Sequence, residues 1–151
     1  MDINSSFQLG SLIIKNRLIQ GPLAGFSCAP FRAQYAWFQA PGYCVSEMIS
    51  AQDLLHRQPP RFVYRAPMES CLAYQLSRDD PDIMATAAQY LESIGADLID
   101  INCGCPKAKI RKKGAGSALL TRPERLIAII TAIKTRIQIP LTVKIRLQHS
   151  D

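Results

Sequence analysis

A thiol, an amide and a run of cations stand close together near the middle of this sequence. They are Asn102, Cys105 and the stretch Lys107 to Lys113, in which five of seven residues are Lys or Arg. A thiol ionises near pH ~8.5, so it can serve as an acid of moderate strength. Neighbouring cations make it lose or deliver a proton more readily than a buried thiol does. The same cations offer a surface for anions. The structural alternative is a Cys that only fills space, beside a solvated charged loop. A second chemical residue, Lys144, lies inside an apolar stretch from Pro140 to Arg146. An ammonium is costly to bury unpaired. Lys144 therefore has an acidic partner, such as Glu47 or Asp100, or it faces a ligand.

Periodicity indicates the elements that must position these residues. Residues 98–102 alternate as a buried strand does, and Gly104 and Pro106 end that strand abruptly. Cys105 then sits at a strand mouth, in a loop over residues 103–120 hinged by Gly114 and Gly116. Upstream, residues 7–20 read as a short hairpin followed by the start of a strand at Leu18-Ile19-Gln20. That strand runs into Gly21-Pro22-Leu23-Ala24-Gly25, a loop whose backbone can approach a flat ligand. Residues 30–39 suit a helix opened by Pro30. Tyr43 to Ile49 forms a second strand, residues 51–66 a long connection containing Pro59-Pro60, and Ser70 to Leu76 a third strand ending near Gln75.

Asp80-Pro81 then opens a helix that Gly95 closes. Thr121-x-x-Glu124 has the pattern of a capping box, ahead of an apolar stripe made of Leu126, Ile127, Ile130, Ile133 and Ile137. Pro140 to Arg146 is the fifth strand. Strands alternating with amphipathic helices imply a parallel α/β sheet with right-handed crossovers. Two architectures fit, a doubly wound open sheet or part of a (β/α)8 barrel. In both, ligands bind at the C-terminal ends of the strands, where Pro22, Gln75, Asn102 and Cys105 fall. There is no Gly-x-Gly-x-x-Gly after the first strand and no Walker loop, which favours the barrel.

Size and composition bound the function. The 151 residues, 48% hydrophobic and 20% charged, suit one globular domain. The formal net charge is +6, and the 107–113 loop carries five positive charges of it, which points to phosphate in a nucleotide or a nucleic acid. Five Cys at irregular spacing, with no secretory leader, suggest reduced thiols in the cytoplasm. Cys103-x-Cys105 lacks a second Cys pair or a suitably spaced His, so no metal site is expected. No apolar run approaches the ~20 residues that span a bilayer.

Taken together, the segments Asn16-Arg17-Leu18-Ile19, Pro22-Leu23-Ala24-Gly25, Val45-Ser46-Glu47-Met48, Gln75, Asp100 to Pro106, Gly114 to Leu120 and Val143 to Arg146 resemble the N-terminal half of tRNA-dihydrouridine synthases. The resemblance runs nearly end to end. It implies an FMN-binding (β/α)8 barrel of which residues 1–151 supply about the first five strands. It implies NADPH as reductant and tRNA as partner. Pro22, Leu23 and Ala24 would lie against the flavin, Gln75 would hydrogen-bond its ring, and Lys144 would sit near its N1 and O2 edge. Asn102 would hold the base or the flavin. Hydride would pass to C6 of a flipped-out uracil, and Cys105 would protonate C5.

The chain also departs from that family. Family chains are about twice as long, so strands six to eight, the Gly-rich FMN-phosphate site and the C-terminal helical tRNA-binding domain are expected to be absent. Leu23 and Cys103 stand where the family often has Met, and His149 does not occupy the family's His position. Two other readings follow from the length: a non-catalytic fragment that binds flavin or RNA, and a half-barrel that self-associates through its open sheet edges.

Overall fold

Along the central strands of this chain every second side chain is apolar and packed against helices, and the residues between them turn polar toward one end. The computed structural model describes residues 2–38, 40–57, 60–69 and 71–147. Pro59, Ser70 and His149, each named above, and Gln39, the last residue of the 30–39 helix expected above, lie outside the described residues.

The chain opens with an antiparallel hairpin, β1 (Phe7–Leu9) and β2 (Leu12–Ile14). Five parallel strands follow and lie side by side in chain order: β3 (Ile19–Gln20), β4 (Tyr43–Val45), β6 (Leu72–Ser77), β7 (Leu98–Cys103) and β8 (Leu141–Ile145). A short β5 (Ile49–Ser50) pairs with the far end of β6. Five neighbouring parallel strands in sequential order with helical crossovers are the first part of a (β/α)8 barrel.

One face of the sheet is covered by helices. Leu72, Tyr74, Leu76, Ile99, Ile101 and Cys103 pack there against α4 (Pro81–Ser93) and α6 (Pro123–Lys134). Helix α4 starts where Asp80 accepts a hydrogen bond from the Ile83 N–H at 3.0 Å, and it ends at Gly95, whose φ of 94° requires glycine. On the other face, Tyr43, Val45, Ala73 and Leu98 pack against Ile14 of the hairpin. These residues lie at the starts of the strands, so the hairpin plugs the N-terminal end of the half-barrel. The C-terminal end stays open.

Several expectations are corrected. The second strand is split, because Ser46 Oγ takes a hydrogen bond from the Gln75 N–H at 3.0 Å and itself donates to the Glu47 carbonyl. The helix at residue 30 turns into a 3₁₀ segment over Gln34–Trp37, after α1 (Ala29–Ala33). The connection after β5 holds two helices, α2 (Ala51–Arg57) and α3 (Pro60–Val63). Ala51 and Leu54 are fully buried there. The loop after β7 likewise holds α5 (Ala108–Arg111) and a 3₁₀ turn over Gly116–Thr121. There is no capping box on α6: Thr121 donates back to the Ala118 carbonyl instead. Its buried stripe runs through Ile129 and Ile133, whereas Ile127 is 62% exposed. Residue 127 lies about 100° round the helix from 126, on the solvent side of a 126-129-133-137 stripe.

Candidate functional site at the open end of the half-barrel

The inward positions of β6, β7 and β8 carry polar side chains where a closed core would carry Val or Ile. The register places Gln75 beside Asp100 and Asp100 beside Thr142, and one step further along it places Asn102 beside Lys144. Parallel strands buried on both faces usually read as continuous apolar runs. Polar residues here mark the face that opens into a cleft.

That cleft has a volume of ≈ 240 Å³ and is lined by Pro22, Ala24, Met48, Gln75, Asn102, Gly104, Cys105, Lys107, Lys144, Ile145 and Arg146. Of the residues singled out from the sequence, it gathers Pro22, Ala24, Gln75, Asn102, Cys105 and Lys144. Leu23 is not among its lining. Its N–H donates to Ser27 Oγ at 2.9 Å and its carbonyl accepts from the Ser27 and Phe26 N–H groups, so its backbone closes the turn. The turn is tied down from β4's end, where Glu47 accepts from the Gly25 N–H at 2.5 Å.

The sequence left open whether Lys144 pairs with Glu47 or Asp100. Glu47 is taken by Arg61, with both contacts at 3.1 Å. Asp100 accepts from Gln75 Nε2 at 2.6 Å and from Thr142 Oγ1 at 2.7 Å. Lys144 enters no ion pair among the described residues and stands exposed in the cleft. The cleft lining carries the cations Lys107, Lys144 and Arg146 and no carboxylate.

Beneath the cleft runs a hydrogen-bond relay. Asp100 can only accept when ionised, so it turns the Gln75 amide nitrogen toward itself. Gln75 Oε1 then accepts from Asn102 Nδ2 at 2.8 Å, which leaves Asn102 Oδ1 to accept from the Cys105 N–H at 3.0 Å. The Cys105 carbonyl is held in turn by the Ser117 N–H at 3.0 Å. Gly116, at φ 64°, allows this approach, since a Cβ there would meet the Cys105 carbonyl oxygen at 2.6 Å. A carboxylate on β7 thus fixes two amides and the backbone of the loop thiol. The parts of this relay played by Asp100 and Thr142 escaped the sequence reading. Only their shared period-two phase with Gln75 and Asn102 signals them.

Burial pushes the Asp100 carboxyl above the 3.8 of a solvated Asp, while its hydrogen bonds from Gln75 and Thr142, and Lys144, pull it back part of the way. A carboxyl that holds its proton more tightly when folded contributes stability that is full below 3.8 and is lost as pH rises through the folded value. Asp100→Asn removes that loss and keeps an acceptor for Gln75. Its stability relative to the parent chain should therefore rise between pH 4 and pH 7, as read by urea unfolding. Asp100→Leu leaves the Gln75 amide without an acceptor and should cost about 1–3 kcal/mol at either pH. A parent-to-Asn difference that is flat in pH would show that Asp100 does not titrate across this range.

Cys103, two residues from Cys105, faces the helices and is fully buried; burial pushes its thiol up to about 12. Cys105 alone of the pair reaches the cleft. Among the described residues no group of three or more His, Cys, Asp or Glu gathers as a metal site would require. No described helix is long and apolar enough to cross a membrane.

The chain is similar to known proteins in sequence and in fold. The family described as Dihydrouridine synthase (Dus) matches residues 19–151. A probable tRNA-dihydrouridine synthase 1 from Synechocystis is 39% identical over 95% of this chain and 41% of its own length. A tRNA-dihydrouridine synthase B from Vibrio vulnificus is 38% identical over 92% of this chain and 44% of its own length. The chain thus spans less than half the length of these curated relatives. Among solved structures, a variant of NCR from Zymomonas mobilis superposes with a TM-score of 0.65 at 17% identity, covering 95% of this chain and 58% of that one. Morphinone reductase superposes at 0.61 with 12% identity, over 95% of this chain and 63% of that one. At such identities the likeness shows the fold alone, a partial (β/α)8 barrel.

Proposed function

The chain belongs to the dihydrouridine synthase family, and from that premise we propose that it is the N-terminal part of an FMN-dependent enzyme that reduces uridine to 5,6-dihydrouridine in tRNA. The observation that carries the reading is the meeting of Cys105, Asn102, Gln75 and Lys144 in one cleft that has cations in its lining and no carboxylate.

The residues present fit a flat ring that gains negative charge on reduction. Pro22, Ala24 and Met48 supply an apolar wall, and Lys144 supplies an unpaired cation. Gln75 Nε2 retains a second N–H beyond the one given to Asp100. Pro22, Ala24, Gln75 and Lys144 would hold FMN here, and the flavin, with NADPH as its reductant, would supply the hydride for C6 of the base. Lys144 would stabilise negative charge on the reduced ring, at the N1 and O2 edge that the family resemblance implies. Asn102 keeps the loop in place and presents its amide beside the base. Cys105 delivers the proton to C5. A uracil stacked inside folded RNA cannot reach this cleft, so the base must be extruded. The compartment that goes with a tRNA substrate is the cytoplasm.

A second reading, self-association, has one observation in its favour: Ile19 on β3 and Ile145 on β8 are both about half exposed on the outer strands of the sheet.

Titration of the purified chain with FMN, followed by quenching of flavin fluorescence, tests the cofactor part directly. Saturable binding that weakens at least ~10-fold in Lys144→Ala is expected for a lost charge-assisted contact. Binding that ignores the Lys144 substitution, or none at high FMN, would turn the reading toward a site formed elsewhere.

A further inference from the structure

The basic run splits across α5. Lys107 lines the cleft described above, whereas Arg111, Lys112 and Lys113 line a second cleft of ≈ 600 Å³ with Arg78, Asp79, Gly114, Ala118, Thr121 and Arg122. Five cations therefore surround one carboxylate, Asp79. Two of them are pre-positioned. Arg122 Nη2 donates to the Gly114 carbonyl at 2.6 Å and stands 3.9 Å from Asp79. Arg78 Nε is buried without a hydrogen-bond partner, with Asp79 Oδ1 at 3.8 Å, beyond hydrogen-bond reach. Ser77 Oγ is also buried and unpartnered, in a small pocket of ≈ 40 Å³ that it shares with Arg78, Lys113 and Met48. Met48 lines the first cleft as well, and Arg78 and Lys113 line the second. The small pocket thus adjoins both clefts through shared lining residues.

Asp79 offsets only one of these five cations, so like charges held this close still repel unless a further anion sits among them, and a buried guanidinium N–H without an acceptor is costly. We infer that the cleft formed by Arg78, Arg111, Lys112, Lys113 and Arg122 binds backbone phosphates of an RNA strand flanking the nucleotide whose base enters the Cys105 cleft. The inference rests on the proposed function for the base-binding cleft. α5 becomes the ridge that separates base from backbone, with Lys107 on one slope and Lys112 and Lys113 on the other. Gly114, at φ 72°, is required for the shape: a Cβ there would meet Arg122 at 2.4 Å and Asp79 at 2.6 Å.

The test compares two double charge reversals in this chain. Lys112→Glu with Lys113→Glu changes the cleft. Lys15→Glu with Lys134→Glu makes the same change in net charge at exposed residues outside it. Binding of a fluorescein-labelled tRNA transcript is followed by anisotropy from 50 to 200 mM salt. The parent chain should bind with Kd near 10⁻⁴–10⁻⁶ M at about physiological salt, and more tightly at the low-salt end. The cleft pair should weaken binding at least ~10-fold at 50 mM salt and lower the log–log salt slope by about 1–2, the loss of one or two phosphate contacts. The Lys15/Lys134 pair should stay within about threefold of the parent. Equal losses in both pairs would mean that net charge alone is at work and would overturn the inference. So would an unchanged cleft variant, or a parent chain that does not bind tRNA. NADPH binding, measured by its fluorescence, should be alike in all three chains; a loss confined to NADPH in the cleft pair would assign the phosphates to the dinucleotide and overturn the RNA assignment. FMN titration of the same chains keeps the two readings apart, since failure to bind flavin counts against the proposed function and leaves the tRNA comparison intact.

Discussion

Cys105→Ala, in a polypeptide of the relatives' length carrying this segment, is expected to lower dihydrouridine formation by about 10²–10⁴-fold, the range that a positioned general acid contributes. FMN should remain bound. The backbone of residue 105 is held independently of its side chain, by Asn102 Oδ1 on its N–H and by the Ser117 N–H on its carbonyl. Alanine keeps both bonds and removes only the sulfur from the cleft. The loss should therefore fall on turnover, with little change in unfolding midpoint. Cys103→Ala provides the contrast. That thiol is buried against the helices and pushed up to about 12, so its removal should weaken the core and spare turnover. Mass-spectrometric counting of dihydrouridine in a tRNA transcript reads both variants. Parental turnover by Cys105→Ala would remove this thiol from the mechanism.

The largest effect on stability is expected at Glu69, which does not line the Cys105 cleft. Arg32 is 2% exposed and lies on α1. Its guanidinium meets Glu69 at 2.5 Å, donates to the Ser27 carbonyl at 2.6 Å and reaches the Tyr64 carbonyl at 3.1 Å. Glu69 in turn accepts from the Ala66 N–H at 2.7 Å. The pair thus joins α1, the turn after β3 and the segment before β6. Glu69→Ala leaves a buried cation without its carboxylate and should cost about 3–5 kcal/mol. For a chain of this size that is a fall of about 6–20 °C in Tm. Arg32→Met combined with Glu69→Leu removes both charges and fills the space, so it should lose less than Glu69→Ala alone. Calorimetry of the three chains decides the matter. A Glu69→Ala midpoint within a degree or two of the parent would show that water replaces the carboxylate and that the pair does not hold the turn. Because Ser27 also anchors Leu23 of that turn, the same variant should loosen the wall of the Cys105 cleft.

The order of strands and helices was legible because burial imposes a period on the chain. The apolar residues 99, 101 and 103 on β7, and 72, 74 and 76 on β6, face the helices, and their two-residue spacing is visible in the sequence. The helix α4 was equally clear, since Asp80-Pro81 and Gly95 mark its ends by local backbone chemistry. What failed was short or ambiguous in period. Helix α2 shows only Ala51, Leu54 and Leu55 on its buried side, too few to stand out beside Pro59-Pro60. Ile127 looks like part of the stripe of α6 because in a run of five apolar residues, 126–130, every phase looks possible. Thr121 matched a capping pattern, yet the preceding 3₁₀ turn offered its hydroxyl the Ala118 carbonyl first.

The sequence by itself determined the fold class and the residue types of the candidate site, because periodicity, turn residues and the Asn102 to Pro106 segment are local properties of the chain. Tertiary structure alone decided how those residues are wired. Only strand register puts Gln75 against Asp100 and Asp100 against Thr142, across 25 and 42 positions of sequence. Only the break in the second strand at Ser46 turns Glu47 toward Arg61 and Gly25, which leaves Lys144 free in the cleft. Only the path of α5 divides one basic run between two cavities. Each of these depends on contacts between segments distant in the chain, and hydrogen-bond geometry over a few ångströms selects the partner from among groups that composition cannot tell apart.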